Sequence, residues 1–320
     1  MSIAEDDLIA ALREIVERPA RTRILLGIGD DAAMWQPSRS HRSLITTDAL
    51  IEGVHFTTAM PFEQIGRRAM ASNVSDIAAM AGRPVLATIA LGLPASVGCE
   101  RVLELYRGMV AVADSCRCAI AGGDITRAPV LTIAITVVGE ARASNVKTRA
   151  GAKPGDVLAV TGPLGASRAA LHGSRDPEAI EQHCSPQPRW REGLWFGASR
   201  NVHAMMDISD GLSTDLARLC AQSRVGARVD AVPVAASALA MATARGEEPR
   251  AYALAGGEDF ELLVAIEPRA YAHVHSRFTK HFRRPLHRIG IVRAGDAVTV
   301  RDFEGGEEPL QPSGWDHLRD

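Results

Sequence analysis

Five times in this chain an apolar run leads into an acidic residue set among Gly, Ser or Thr. The acids so placed are Asp30 and Asp31, Asp48, Asp124, Asp207 and Asp210, and Glu258 and Asp259. Asp76 differs: it follows Asn73 by three residues in a helical stretch, so the two share a face. Taken singly, each acid is as readily a turn residue or a helix cap as a ligand. Asp207, Ser209 and Asp210, for instance, precede a helix they could cap. The recurrence points to chemistry. Strand ends present side chains at the ligand-facing edge of a sheet, and small neighbours let a ligand approach the backbone. Grouped carboxylates repel one another unless cations neutralise them. Hard oxygen ligands of this kind suit magnesium, which also takes substrate phosphates. The predicted chemistry is therefore phosphate handling through several bridging magnesium ions.

Commoner phosphate motifs do not occur. There is no G-x-x-x-x-G-K-[ST] and no kinase H-R-D or D-F-G set. Gly27 and Gly29 lack the third glycine of a dinucleotide fingerprint, and the adjacent Asp30–Asp31 pair would repel a bare pyrophosphate.

The elements that must position these acids follow from periodicity. Apolar residues at Leu8, Ile9, Leu12, Ile15 and Val16 predict a helix over 6–18. Short strands are predicted at 23–27 and 43–47, and a small-residue helix at 63–81 stopped by Gly82-Arg83-Pro84. Residues 85–93 and 130–138 read as buried strands around a helix at 100–114. The strand at 118–121 is expected to end in Gly-Gly-Asp. A polar stretch over 141–155 is the best boundary. Beyond it come a strand at 157–160, a helix at 166–171, a loop-rich or helical excursion over 172–189 and a strand at 204–208. A helix at 212–223 and strands near 227–232 and 261–266 follow. Both halves mix strands with helices, so the fold class is α/β or α+β in two domains, 1–141 and 142–320.

Composition narrows the class. The 320 residues suit about two domains. A net charge of -2 with 4% aromatic content argues against a general nucleic-acid binder. The longest apolar run, 130–139, is about half the ~20 residues a membrane span needs. The acidic amphipathic N-terminus is no signal peptide, so a cytoplasmic protein is expected. Five cysteines without a C-x-x-C pair predict neither a disulfide framework nor a zinc site. Cys116 and Cys118 read as packing residues.

Eight segments, in order, carry a resemblance. They are GIGDDAA (27–33), TTDALIEGVHF (46–56), NVSDIAAMAGRP (73–84) and AGGDITR (121–127), then TRAGAKPGD (148–156), DISDGLSTDL (207–216), GGEDFELL (256–263) and GWDHL (314–318). With them the chain resembles the thiamine-monophosphate kinase family, within a superfamily that includes aminoimidazole ribonucleotide synthetase and selenophosphate synthetase. The resemblance implies an N-terminal ATP- and magnesium-binding domain with a mixed sheet that forms a dimeric barrel with a second copy. It implies a C-terminal α+β domain completing the nucleotide and substrate site, with the active site in the cleft between domains. The implied reaction moves the γ-phosphoryl of ATP onto thiamine monophosphate.

Carried residue by residue, the resemblance implies magnesium ligands at Asp31, Thr46, Thr47, Asp48, Asp76, Asp124, Asp207 and Asp210. ATP contacts would come from Gly123, Asp124, Arg149 and Ser209. Substrate contacts would come from His55, Glu258 and Trp315. A lone His such as His55 is more often structural, and Trp315 could cover an apolar patch or stack on a cationic ring. No general base is assigned, because a phosphate monoester acceptor has its second pKa at about 6 and is largely deprotonated already. The alternatives are another ATP-dependent synthetase of the superfamily or a nucleotide-binding dimer without turnover. Against selenophosphate synthetase, no reactive Cys precedes Cys99.

Overall fold

The computed structural model describes residues 5–16, 24–26, 34–302 and 304–315. The chain divides into two compact units, one built from residues up to Ala78 and from Gly82–Ser144, the other from Ala79–Ala81 and the chain from Asn145 on.

The first unit contains α1 (Glu5–Val16), β1 (Ile24–Leu26), β2 (Met34–Trp35), β3 (His41–Ile51) and α2 (Phe62–Ala79). It continues with β4 (Arg83–Leu93), α3 (Cys99–Cys116), β5 (Ala119–Arg127) and β6 (Thr132–Arg142). Its main sheet has the order β3-β6-β4-β5, parallel only between β4 and β5. Alternation along β6 buries Ile133, Ile135 and Val137, and β4 adds Ile89 and Leu91 to the same core. The helices bring Ile65, Met70, Val74, Leu105 and Met109. Two glycines let α2 and α3 touch backbone to backbone. A Cβ on Gly66 would stand 2.0 Å from the Leu105 carbonyl oxygen, and one on Gly108 would stand 1.9 Å from that of Glu63. Cys116 and Cys118 are buried free thiols, as their packing role predicts.

Two predicted strand ends are not ends. β3 runs eleven residues, because its pairing with β6 continues unbroken from His41 to Ile51, so Asp48 sits inside the strand. β5 likewise continues through Gly122, Gly123 and Asp124 to Arg127, held by parallel pairing with β4. Gly123 marks a close approach and not a stop: a Cβ there would lie 1.9 Å from the Ile89 carbonyl oxygen.

The second unit contains β7 (Val157–Val160), α4 (Ala166–Leu171), α5 (Pro177–Cys184), α6 (Trp190–Gly197), β8 (Val202–Asp207) and α7 (Leu212–Ser223). Then come β9 (Gly226–Val229), α8 (Ala236–Arg245), α9 (Pro249–Leu254), β10 (Leu262–Ile266), α10 (Pro268–Phe282), β11 (His287–Arg293), β12 (Val298–Arg301) and β13 (Glu307–Pro309). The seven-stranded sheet has the order β13-β12-β9-β11-β7-β10-β8. Alternate residues enter two cores. Leu158, Val160, Met206 and Leu263 pack with Leu212, Leu216 and Leu219 of α7. Ala159, Met205, Leu262 and Val264 pack with Phe196 of α6 and Phe278 of α10. With both faces covered, β10 is buried at every position, which is why its sequence is an unbroken apolar run. The mixed α+β class in two units agrees with the sequence.

Candidate functional site

In the first unit, alternation along β3 turns Thr46 and Asp48 to the face that meets α2. Thr46 Oγ1 donates to Asp76 Oδ2 at 2.5 Å. The Asp48 main-chain N–H donates to Asn73 Oδ1 at 3.1 Å, and Asn73 is itself anchored by donating to the Ala69 carbonyl. The one-turn spacing of Asn73 and Asp76 thus addresses two alternate residues of one strand. Thr47 points the other way. Its hydroxyl donates to the Ile135 carbonyl at 3.1 Å and accepts from Thr136.

Asp124 is exposed on β5, the opposite edge of this sheet from β3. Three strand spacings, roughly 14 Å, separate the two edges. The fold of this unit therefore joins Thr46, Asp48, Asn73 and Asp76 but does not bring Asp124 to them. His55 lies just past β3. Its Nδ1 accepts the Ile51 N–H at 3.1 Å, which leaves the ring proton on Nε2, and Arg68 donates to its carbonyl. Asp31, with Asp30, lies outside the described residues.

The second unit gathers more of the predicted residues. Asp207 ends β8 and is buried. The segment after it runs against the loop before β10. Ile208 N–H donates to the Glu261 carbonyl at 2.8 Å, Phe260 N–H to that of Ile208 at 2.9 Å, and Glu258 N–H to that of Ser209 at 2.7 Å. Trp315 N–H donates to the Asp210 carbonyl at 2.9 Å, and the residue is about half exposed. Asp207, Ser209, Asp210, Glu258 and Trp315 thus share one set of interlocked loops. Arg149 is exposed on a segment beside β8. The Thr148 carbonyl accepts from Met205 N–H at 3.0 Å, and the Arg149 carbonyl accepts from Ser223 at the far end of α7.

Three supports were missed in the sequence. Asp215, wholly buried in the first turn of α7, accepts the N–H groups of Ser209, Asp210 and Gly211 on one oxygen, at 3.0–3.1 Å. It satisfies the main-chain donors of the segment that leads into the helix. Burial, then the neighbouring charge of Asp210, pushes its pKa up to about 6. Arg218, one turn further along α7, pairs with both Asp215 and Asp210. An acid in the first turn after D-G with a base three residues on was the available signal.

The third support holds the Glu258 loop. Glu258 and Phe260 both occupy the left-handed region, at φ 63° and 49°, a strain of roughly 1 kcal/mol or more apiece. Buried carboxylates anchor this stretch. Asp259 Oδ2 accepts the Gly165 N–H at 2.8 Å, and burial pushes its pKa up to about 8. Glu261 accepts two bonds from Arg189 and one from Thr161, and pairs with Arg284. Burial acts to raise the Glu261 pKa, yet the two arginines hold it below the ordinary value. Beside Glu258, His183 Nδ1 lies 3.9 Å from its carboxylate.

Residues 29–141 match the family model for the N-terminal domain of AIR synthase related proteins, and residues 153–303 match that for the C-terminal domain. With the two sheets above, this defines the class: a two-domain AIR synthase related protein. Among curated relatives, the thiamine-monophosphate kinase of Rhodopirellula baltica is 35% identical over 98% of this chain and 97% of its own. That of Escherichia coli is 32% identical over 98% and 100%. A solved thiamine-monophosphate kinase from Stenotrophomonas maltophilia superposes with a TM-score of 0.83 at 33% identity, covering 96% of this chain and 99% of that one. AaThiL complexed with AMPPCP and TMP superposes at 0.78 with 30% identity, covering 99% of each. The chain belongs to the thiamine-monophosphate kinase family, as its eight segments imply. The Escherichia coli hydrogenase maturation protein HypE, at 19% identity and a TM-score of 0.83, shares the fold.

Proposed function

We propose that this chain transfers the γ-phosphoryl of ATP to thiamine monophosphate, giving thiamine diphosphate and ADP. The observation that carries the reading is the bond from Glu258 N–H to the Ser209 carbonyl. It fixes the residue assigned to substrate against the segment assigned to nucleotide and metal. Holding two reactants in one geometry is a large share of what such a transfer needs.

Magnesium fits the residues present. Among the described residues no three His, Cys, Asp or Glu side chains stand together as a cage. The acids instead stand singly or paired, beside hydroxyls and main-chain groups, as with Asp76 and Thr46. Magnesium takes one or two carboxylates and completes its shell with water and substrate phosphates. Asp31, Thr46, Thr47, Asp48, Asp76, Asp124, Asp207 and Asp210 would hold the ions, with Thr47 offering its main-chain oxygen because its hydroxyl faces away. When bound, they supply charge neutralisation for two polyanions and alignment for in-line displacement.

The chain's own residues do the rest. Gly123, Asp124, Arg149 and Ser209 contact ATP, with Arg149 offering a bidentate guanidinium. His55, Glu258 and Trp315 contact thiamine monophosphate, the Trp315 ring by stacking on the cationic heterocycle. No side chain removes a proton, because the acceptor oxygen is already charged. Residues 1–141 supply metal, ATP and dimer contacts, and 142–320 complete the nucleotide and substrate site.

The protein works as a cytoplasmic homodimer in this reading. Support for the dimer lies in the first unit. Ile45 is 76% exposed, and Thr47 and Ala49 beside it on the same face of β3 are exposed too. A second copy closing a barrel over this face would cover them. Among the described residues no helix is long and apolar enough to cross a membrane.

The test is ADP release from ATP and magnesium across a panel of acceptors. Release only with thiamine monophosphate supports the assignment. Release with free thiamine alone, or without any acceptor, contradicts it, as does tight ATP binding without release.

A further inference from the structure

Asp210 lies in the segment before α7, Asp215 in the helix's first turn, and Arg218 bridges their carboxylates. Its Nη1 donates to Asp210 Oδ2 and, at 3.0 Å, to Asp215 Oδ1. The three groups differ in freedom. Asp215 is wholly buried, and its other oxygen carries three main-chain N–H bonds, so it cannot turn away. The Arg218 side chain is 43% exposed and that of Asp210 24%. Arg218 therefore has a fixed partner inside and a movable one at the surface. Arg218 can release Asp210 and keep Asp215.

We propose that Arg218 and a divalent cation are alternative partners of the Asp210 carboxylate. The inference rests on the reading of Asp210 as a metal ligand. Without the ion, the guanidinium neutralises Asp210 and holds its carboxylate in place against the repulsion of Asp215. When the ion arrives, Arg218 gives up Asp210, stays on Asp215, and presents its freed N–H groups to solvent or to a phosphate oxygen. Arg218 is in this sense a positioning residue that sets how tightly the site takes its metal. A lysine ammonium could carry the charge, but it lacks the additional N–H groups of a guanidinium that would meet a phosphate oxygen.

The experiment is binding of Mn²⁺ alone to the full chain, read from the paramagnetic signal of free Mn²⁺, with no turnover involved. Removing the competing cation in R218Q is expected to tighten binding at this site by up to about fivefold, the range of a partly exposed ion pair. R218K, which keeps a charge, is expected to fall between R218Q and the unaltered protein. In D210N the site weakens, and adding R218Q to D210N changes nothing further. Equal or weaker Mn²⁺ binding in R218Q, with D210N still weakening it, overturns the competition while leaving the metal role of Asp210 intact. No effect of D210N overturns both. Thermal melts of each variant establish that the folded protein is being compared.

Discussion

Thr46 Oγ1 donates to Asp76 Oδ2 at 2.5 Å, joining a β-strand to a helix thirty residues away. The bond sets the direction of a carboxylate proposed to hold magnesium. Asp76→Asn is expected to reduce turnover by about a hundredfold or more at limiting magnesium, with partial recovery as magnesium is raised. Thr46→Val, which removes this bond and keeps the carboxylate, is expected to lose less. Steady-state rates across a magnesium titration test both.

Glu258 is held in the left-handed region at φ 63° by its bond to Ser209. If it contacts the acceptor, Glu258→Gln raises KM for thiamine monophosphate about tenfold and leaves KM for ATP nearly unchanged. Equal rises in both constants would place Glu258 on neither substrate in particular.

Gly314 sits where a Cβ would stand 1.9 Å from the Asp210 carbonyl oxygen. Gly314→Ala must displace the segment that brings Trp315 to Asp210. The expected result is a loss of about tenfold in affinity for thiamine monophosphate, with a melting temperature within a few degrees of the parent. Calorimetric titration beside a thermal melt separates the two effects.

Asp259 carries a pH dependence of stability. Burial raises its pKa from the ordinary value to about 8. Between about pH 4 and 8 the unfolded chain has released this proton and the folded chain keeps it, so raising pH favours unfolding. Stability should fall across that window by at most about 1.4 kcal/mol per pH unit, then level off above pH 8. Asp259→Asn should flatten this contribution. Denaturant titrations at several pH values measure it.

Much of this was legible in the residues. The 212–223 helix is found at those bounds because its apolar spacing and the preceding D-G leave little choice. The 130–138 strand appears as Thr132–Arg142, and the excursion over 172–189 holds the helix α5. Strand extents were harder to read, since Asp48 and Gly122-Gly123 have poor strand propensity and only pairing with β6 and β4 carries the strands past them. The acids proposed for the site stand out in the sequence by recurrence, whereas the residues that support them do not. Glu261 meets Arg189 across 72 positions in the chain, and no local spacing encodes that pairing. The direction of the Thr47 hydroxyl could not be read from the motif alone, because alternation along the strand puts it on the opposite face from Thr46 and Asp48.

The central claim is that thiamine monophosphate is the phosphoryl acceptor, and phosphorus NMR of a running reaction tests it most directly. With ATP, magnesium and thiamine monophosphate, the monoester resonance should give way to the paired resonances of a diphosphate ester, one for each ADP formed. Replacing thiamine monophosphate with thiamine should leave ATP intact. A monoester signal that persists while ADP accumulates, or a phosphate newly joined to free thiamine, would contradict the account.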